Sequence, residues 1–330
     1  MELQRNADGG STAPPKAVGG ALVPRPGRRA RWVWLAAWIA LTALVVYLRP
    51  FDFRAVGRGL ATAQPGWVLL AAIANLCVVP LLATLWSQLL PAARSVRWRV
   101  LGECAALAFA GMNTLPLAGG QALAVGLLAT RASLGLDGSL SLMALEQLCE
   151  GGAKLGLLLL ALAVAPLSEN WRRTAWWLGA GLVAAAAALM WLARAAPENR
   201  PGGWRARWSR HLDVLRRPRI FLGAFALALA MKVVELVAIY AVQRALGMEL
   251  PLASVAVVLA AVAFATLVSI APGNLGVYEA AAFAAYRWFG VPTDQALALA
   301  LVHHACFLAP MLVPGYALMA WRALAPAKPA

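Results

Sequence analysis

From residue 31 to residue 322 the chain alternates long apolar runs with short polar connections. Runs at about Trp32–Leu48, Gly66–Leu90, Ser139–Ala165, Thr174–Ala193, Ile220–Ala245 and Gln295–Trp321 lie close to the roughly 20 residues that cross a hydrocarbon layer as a helix. Two further runs are broken. Between Val100 and Ala129 stands Asn113-Thr114-Leu115-Pro116-Leu117-Ala118-Gly119-Gly120-Gln121, and between Leu252 and Phe289 stands Pro272-Gly273-Asn274-Leu275-Gly276-Val277-Tyr278-Glu279. Proline has no amide hydrogen to donate, while glycine and asparagine accept left-handed angles, so a helix stops there. Each arm is too short to span the bilayer alone. The pattern predicts an all-α polytopic membrane protein with about six full transmembrane helices and two re-entrant segments.

The two broken segments echo one another. With Pro116 set on Pro272, Gly120 falls on Gly276 and Arg131 on Arg287; after a one-residue slip Gly135 meets Gly290. Paired interruptions in two halves of a membrane protein point to a binding site near the midplane, where irregular backbone lines a cavity. The expected site therefore comprises Asn113, Pro116, Gly120, Gln121 and Arg131 from the first segment. The second adds Pro272, Gly273, Asn274, Gly276, Tyr278, Glu279 and Arg287. Helix N-termini and backbone donors at the breaks suit an anionic or hydroxylated head group. The two arginines end their arms, where a phosphate at the membrane face or simple interfacial anchoring would use them.

Composition agrees with a membrane protein: 62% of residues are hydrophobic, 13% are charged, and the mean hydropathy is +0.71. The net charge of +15 comes from arginines gathered between the runs. That is a topology signal and not a nucleic-acid footprint. Residues 1–30 read as a disordered basic cytoplasmic tail and 323–330 as a short tail, enclosing a transmembrane domain over 31–322. Within it, repeat motifs occupy 100–165 and 252–321. The loop at 194–219 holds eight arginines and is expected to be cytoplasmic. With the N-terminal arm on the same side, parity requires the first broken segment to return to the face it left. Three full helices then place the second on the opposite face, which makes the repeat inverted. The same loop carries Trp204, Trp208, Leu212 and Leu215 along one helical stripe among arginines, as a surface helix on an anionic inner leaflet would.

Polar side chains inside apolar runs are costly and usually functional. Glu146, Glu150 and Lys154 are four apart and share a helix face. Glu150 neutralises Lys154 in this reading. Glu146, beside a like charge in a dry setting, becomes a candidate for proton or ion coupling together with His303. A structural ion pair joining two helices fits the same residues. Lys232 and Glu235 are spaced for a local pair. His303 and its neighbour His304 point about 100° apart, which argues against one shared metal. Glu103, near a helix start, reads as structural. The four cysteines, Cys77, Cys104, Cys149 and Cys306, lack metal spacing and read as small core residues. No nucleotide-cradling, zinc-protease or nucleophile-elbow motif is present, so neither cofactor nor catalytic residue nor metal site is expected.

These motifs resemble the flippase-like transmembrane domain of lysylphosphatidylglycerol synthases. Pro272-Gly273-Asn274-Leu275-Gly276-Val277-Tyr278-Glu279-Ala280 is similar to that family's Pro-Gly-x-Leu-Gly-x-x-Glu-Ala, followed by Gly290-Val291-Pro292 and the run from Ala296 to Leu301. Asn113, Pro116, Gly120, Arg131 and Glu146 match its earlier pattern, and the likeness spans about Trp67 to Trp321. Gln121 stands where the family often has an acid, and Ala124 where arginine is frequent. The resemblance implies a multi-pass protein of the bacterial inner membrane that translocates a phospholipid, isoprenoid or hopanoid-type lipid, and loop charge is expected to hold both termini on the cytoplasmic side. Synthase members add a soluble catalytic domain; this chain ends at Ala330, so it is expected not to be an enzyme. Two other readings are an intramembrane lipid-modifying enzyme using Glu146, Glu150 and His303 or His304, and a scaffold for a lipid-biosynthesis enzyme. In each, membrane lipids are the partners and nucleic acid is not.

Reporter fusions placed within residues 194–219 are expected to read as cytoplasmic. An extracytoplasmic signal there would overturn the parity argument.

Overall fold

The computed structural model describes residues 61–91, 95–115, 119–164, 217–268 and 271–324, with scattered positions at 54, 57 and between 169 and 187. Its elements are α1 (Pro65–Leu76), α2 (Val78–Leu89), α3 (Trp98–Met112), α4 (Gly119–Thr130), α5 (Gly135–Val164), α6 (Pro218–Ala245), α7 (Leu252–Ala265), α8 (Val277–Trp288) and α9 (Thr293–Leu324). Short 3₁₀ turns occupy Thr266–Val268 and Pro272–Asn274. No strand occurs among the described residues. Four apolar spans there are long enough to cross a membrane: Pro65–Leu89, Gly135–Val164, Pro218–Ala245 and Thr293–Leu324. The predicted run at Trp32–Leu48, the basic tail 1–30, the tail beyond 324, Pro116 and most of 188–219 lie outside the described residues. Of the predicted run Thr174–Ala193 only isolated helical positions are described.

The two broken segments are helical hairpins. α3 and α4 hold 15 and 12 residues, and α7 and α8 hold 14 and 12. At 1.5 Å per residue these are about 18–22 Å long, short of a hydrocarbon core about 30 Å thick. α3 and α4 run antiparallel. The Cys104 thiol at the middle of α3 faces the carbonyl of Leu127 in the second half of α4. A long helix follows each hairpin, α5 with 30 residues and α9 with 32. The joints match as the sequence alignment required. Gly135 and Gly290 both take positive φ, 69° and 79°, an angle that other L-residues adopt only with strain.

Contacts between distant parts of the chain set the relative faces. The Gln64 amide at the head of α1 donates to the Ala245 carbonyl at the tail of α6, at 2.8 Å. Arg322 at the tail of α9 pairs with Glu103 at the head of α3. Short connections join α2 to α3, α4 to α5, α6 to α7 and α8 to α9. The first hairpin therefore rises from the face where α9 ends, and the second from the face where α9 begins. Both hairpins reach the middle of α9. A Cβ placed on Gly273 would lie 3.2 Å from the Asn113 carbonyl and 3.3 Å from Leu308, and Leu308 is half-way along α9. The two breaks meet from opposite sides at mid-depth.

Packing relies on small residues, as expected where lipid removes the hydrophobic drive between helices. Gly315 of α9 crosses α3 so closely that a Cβ would come within 2.5 Å of the Ala106 carbonyl and of the Ala110 side chain. Gly120 allows α4 the same approach to the backbone of Met112, at 2.3 Å. The expected single helix over Gly66–Leu90 is instead interrupted at Cys77 between α1 and α2. Pro80 explains the break, because it cannot donate to the carbonyl of Leu76. α5 begins at Gly135, ahead of the predicted Ser139. Ser139 and Ser141 return their hydroxyls to the carbonyls of Gly135 and Asp137, both at 2.7 Å, so these polar residues sit comfortably inside the first turns.

Pro310 inside α9 likewise deprives the Cys306 carbonyl of its helical donor. Asn75 of α1, 2% exposed, supplies the replacement: its Nδ2 donates to Cys306 at 3.0 Å and to Ala71 at 3.1 Å. Asn75→Leu is expected to lower the stability of the purified protein by about 1 kcal/mol in thermal unfolding. Adding Pro310→Ala returns the helical donor, so the double substitution should cost measurably less than the sum of the single ones.

Candidate functional site

The second hairpin breaks because three consecutive demands meet in its tip. Pro272, which has no amide hydrogen to donate, opens a 3₁₀ turn, and Gly273, Asn274 and Gly276 take φ of 61°, 56° and 83°. The turn leaves the amide of Gly276 and the carbonyl of Gly273 without partners in their own helix. Glu279, one turn into α8, reaches back, and its Oε2 accepts from the Gly276 N–H at 2.7 Å. Its Oε1 lies 2.8 Å from Nδ1 of His304 on α9. The other ring nitrogen of His304, Nε2, lies 2.9 Å from the Gly273 carbonyl oxygen. One imidazole thus ties the tip to its own helix start and to α9.

Tyr278 completes the cluster. Its ring stacks on His304 with centroids 4.2 Å apart and planes 10° from parallel, and it also lies against Phe307, with centroids 5.5 Å apart. Its hydroxyl is hydrogen-bonded to Nε2 of His303 at 2.9 Å. His303 is buried, and its Nδ1 has no hydrogen-bond partner among the described residues. Adjacent histidines thus serve different atoms of one tyrosine, in keeping with side chains about 100° apart on a helix.

A second polar group lies between α5 and α6. Lys232 is 2.7 Å from Glu235 and 3.3 Å from Glu150, while Lys154 is 3.8 Å from Glu150. The local pairs expected from spacing are present, and Lys232 adds a bridge from α6 to α5. Glu146 stands apart from the cations. It is 5% exposed and accepts a 2.6 Å hydrogen bond from Nε1 of Trp86 on α2. Glu103 is structural as expected, paired with Arg99 and Arg322.

The remaining expected site residues divide. Asn113 lies at the meeting point, but its side-chain amide donates to its own helix at Phe109. Gln121 is exposed, with its side-chain nitrogen 4.0 Å from the Met112 sulfur. Gly120 serves close helix packing, whereas its counterpart Gly276 starts α8 with a left-handed angle. Ala124, where the family often has arginine, is fully buried in the core. Arg131 follows α4 and Arg287 closes α8, donating to the carbonyl of Val291. The hairpins come from opposite faces, so these arginines sit at opposite faces and cannot grip one head group together. Where the tips meet, Gly273 approaches Asn113 so closely that a Cβ on Gly273 would lie 3.2 Å from the Asn113 carbonyl oxygen.

Residues 32–315 match the family described as the lysylphosphatidylglycerol synthase TM region. The chain belongs to that family. The match covers both hairpins and the long helices between them, in accord with the Pro272–Ala280 motif. No curated protein matches the chain. Within this lysylphosphatidylglycerol synthase TM-region protein, the partners of the motif glutamate are visible: Glu279 caps its own helix and holds His304. Spacing alone did not single out His304, Asn75 or Trp86. Each is a polar group in an apolar run, a signal that identifies a buried contact without naming its partner.

Lys232→Met would leave Glu150 and Glu235 facing each other without their shared cation. A loss of about 3 kcal/mol is expected in thermal unfolding, recovered in large part by adding Glu150→Gln and Glu235→Gln.

Proposed function

We propose that this protein moves a lipid between the leaflets of a bacterial inner membrane without altering it chemically, with both termini in the cytoplasm. The observation that carries the reading is the contact of two sub-membrane-length hairpins, risen from opposite faces, at the middle of α9. A site at that depth can be exposed to either leaflet by small movements of one hairpin against the other. Arg131 and Arg287 supply a phosphate-binding cation near each face, one for each leaflet. The lipid tails have a candidate path beside it. An apolar groove of about 730 Å³ runs between α1 and α9, lined among others by Leu69, Ile73, Leu76, Leu301, Ala305 and Val313. The arginine-rich loop 194–219 would rest on the anionic leaflet.

The purified full chain in liposomes should exchange head-group-labelled phospholipid between leaflets, read by the fraction that an impermeant quencher reaches. Gly273→Ala should slow the exchange by roughly tenfold. Its Cβ meets the Asn113 carbonyl, and its backbone angle costs about 1–2 kcal/mol in any L-residue. A chemically changed lipid would instead establish an enzyme. Neither exchange nor product, with a lipid-synthesis enzyme co-purifying, would establish a scaffold.

A further inference from the structure

Counting hydrogens around His304 leads to a requirement that the fold alone does not state. The Gly273 carbonyl can only accept, so Nε2 of His304 must carry a hydrogen to make that 2.9 Å contact. Nδ1 lies 2.8 Å from Oε1 of Glu279. That contact needs a second hydrogen, held either on Nδ1 against a carboxylate or on a carboxylic acid against Nδ1. Both arrangements contain one proton more than a neutral imidazole beside an ionised glutamate. The remaining carboxylate oxygen is already occupied by the Gly276 N–H, so Glu279 cannot turn away without releasing the cap of α8.

We propose that Glu279 and His304 form a binding site for a single transferable proton, and that its occupancy latches the tip of the second hairpin against α9 and the first hairpin. With the proton present, both contacts of His304 hold. Without it, one contact sets lone pair against lone pair at under 3 Å, and either the Gly273 or the Glu279 contact opens. Gly273 is the residue that meets Asn113, so opening releases the junction between the hairpins. The Glu279 side chain retains 18% exposure and His304 only 4%, which gives the proton a way in through the carboxylate.

Tyr278 covers one face of the imidazole and is hydrogen-bonded to His303. From α6 come Glu235 and Lys232, with Lys232 paired to both Glu235 and Glu150. Farther along α8 and α9 lie Tyr286, Arg287 and Cys306. α7 brings no ionisable side chain to the cluster, and α1 brings the neutral Asn75. No described cation stands close enough to replace the shared proton. The site is defined by hydrogen bonding and exists whether or not lipid moves. Its role in coupling lipid movement to a proton rests on the preceding section.

Glu279→Gln provides the decisive variant. Its amide donates to Nδ1 and its oxygen accepts from Gly276, so the whole pattern forms with no transferable proton. The chain has three histidines, His211, His303 and His304. The full chain, labelled with ¹⁵N-histidine and placed in nanodiscs, allows the His304 ring to be followed by NMR between about pH 6 and about pH 9. His211→Gln and His303→Gln assign the signals. The expected result is a one-proton titration of His304 in the native protein that is absent in Glu279→Gln. A ring signal that does not change across this range, or that titrates equally in both proteins, overturns the proposal.

Tip opening is read separately by maleimide labelling of Leu275→Cys, in a Cys77→Ala background. Its rate is divided by that of the same cysteine in the Glu279→Gln protein at each pH, which removes the thiol's own dependence. The ratio should rise with pH, by up to about tenfold per unit for one proton; a flat ratio overturns the latch. Neither readout involves lipid movement. A titrating latch with no leaflet exchange refutes the transport reading alone, and exchange with a silent His304 refutes the latch alone.

Discussion

A helix that stops inside hydrocarbon leaves amide and carbonyl groups that lipid cannot satisfy, and the arrangement of this protein follows from where those groups find partners. The freed carbonyl of Cys306 takes the amide of Asn75, which fixes α1 against α9. The freed carbonyl of Gly273 takes the imidazole of His304, and the freed amide of Gly276 takes the carboxylate of Glu279. The first two contacts join separate elements, and the third caps α8 while its carboxylate also reaches His304 on α9. Proline and glycine therefore act here less as kinks than as points where one helix is made dependent on another.

Charge follows the same logic. Lys232 stands between Glu150 and Glu235, with Lys154 at the margin, so two cations and two carboxylates balance within one group. Removing any one member is costlier than the pair is stabilising, since the survivor stays in a low-dielectric setting. Glu146 is handled differently, by a hydrogen bond from Trp86, with no cation in ion-pair contact among the described residues. These polar contacts bind α2, α5 and α6 into one frame, against which the hairpins are held.

The two halves share a plan and diverge in detail. Each is a short hairpin, a left-handed glycine and a long helix, inverted with respect to the other. At the tips the chemistry differs. The second carries the glutamate and meets a histidine; the first carries Gln121, exposed, and a glycine used for close packing.

Much of this was legible along the chain. The apolar runs located the described spans, because length and hydropathy are local properties that a bilayer reads directly. Pro272, Gly273 and Gly276 announced a break, because backbone angles are set residue by residue. Loop charge and parity placed the hairpins on opposite faces, since each crossing inverts the side. The local pair of Lys232 and Glu235 followed from helical spacing. What the sequence did not contain was the choice of partner. Asn75 for Cys306, Trp86 for Glu146, and His304 for Glu279 and Gly273 depend on how helices rotate and cross. Those rotations are decided by small-residue contacts such as Gly315 on Ala106 and Gly120 on Met112. A polar residue in an apolar run declares that it needs a partner; only the packed bundle determines which one comes within reach.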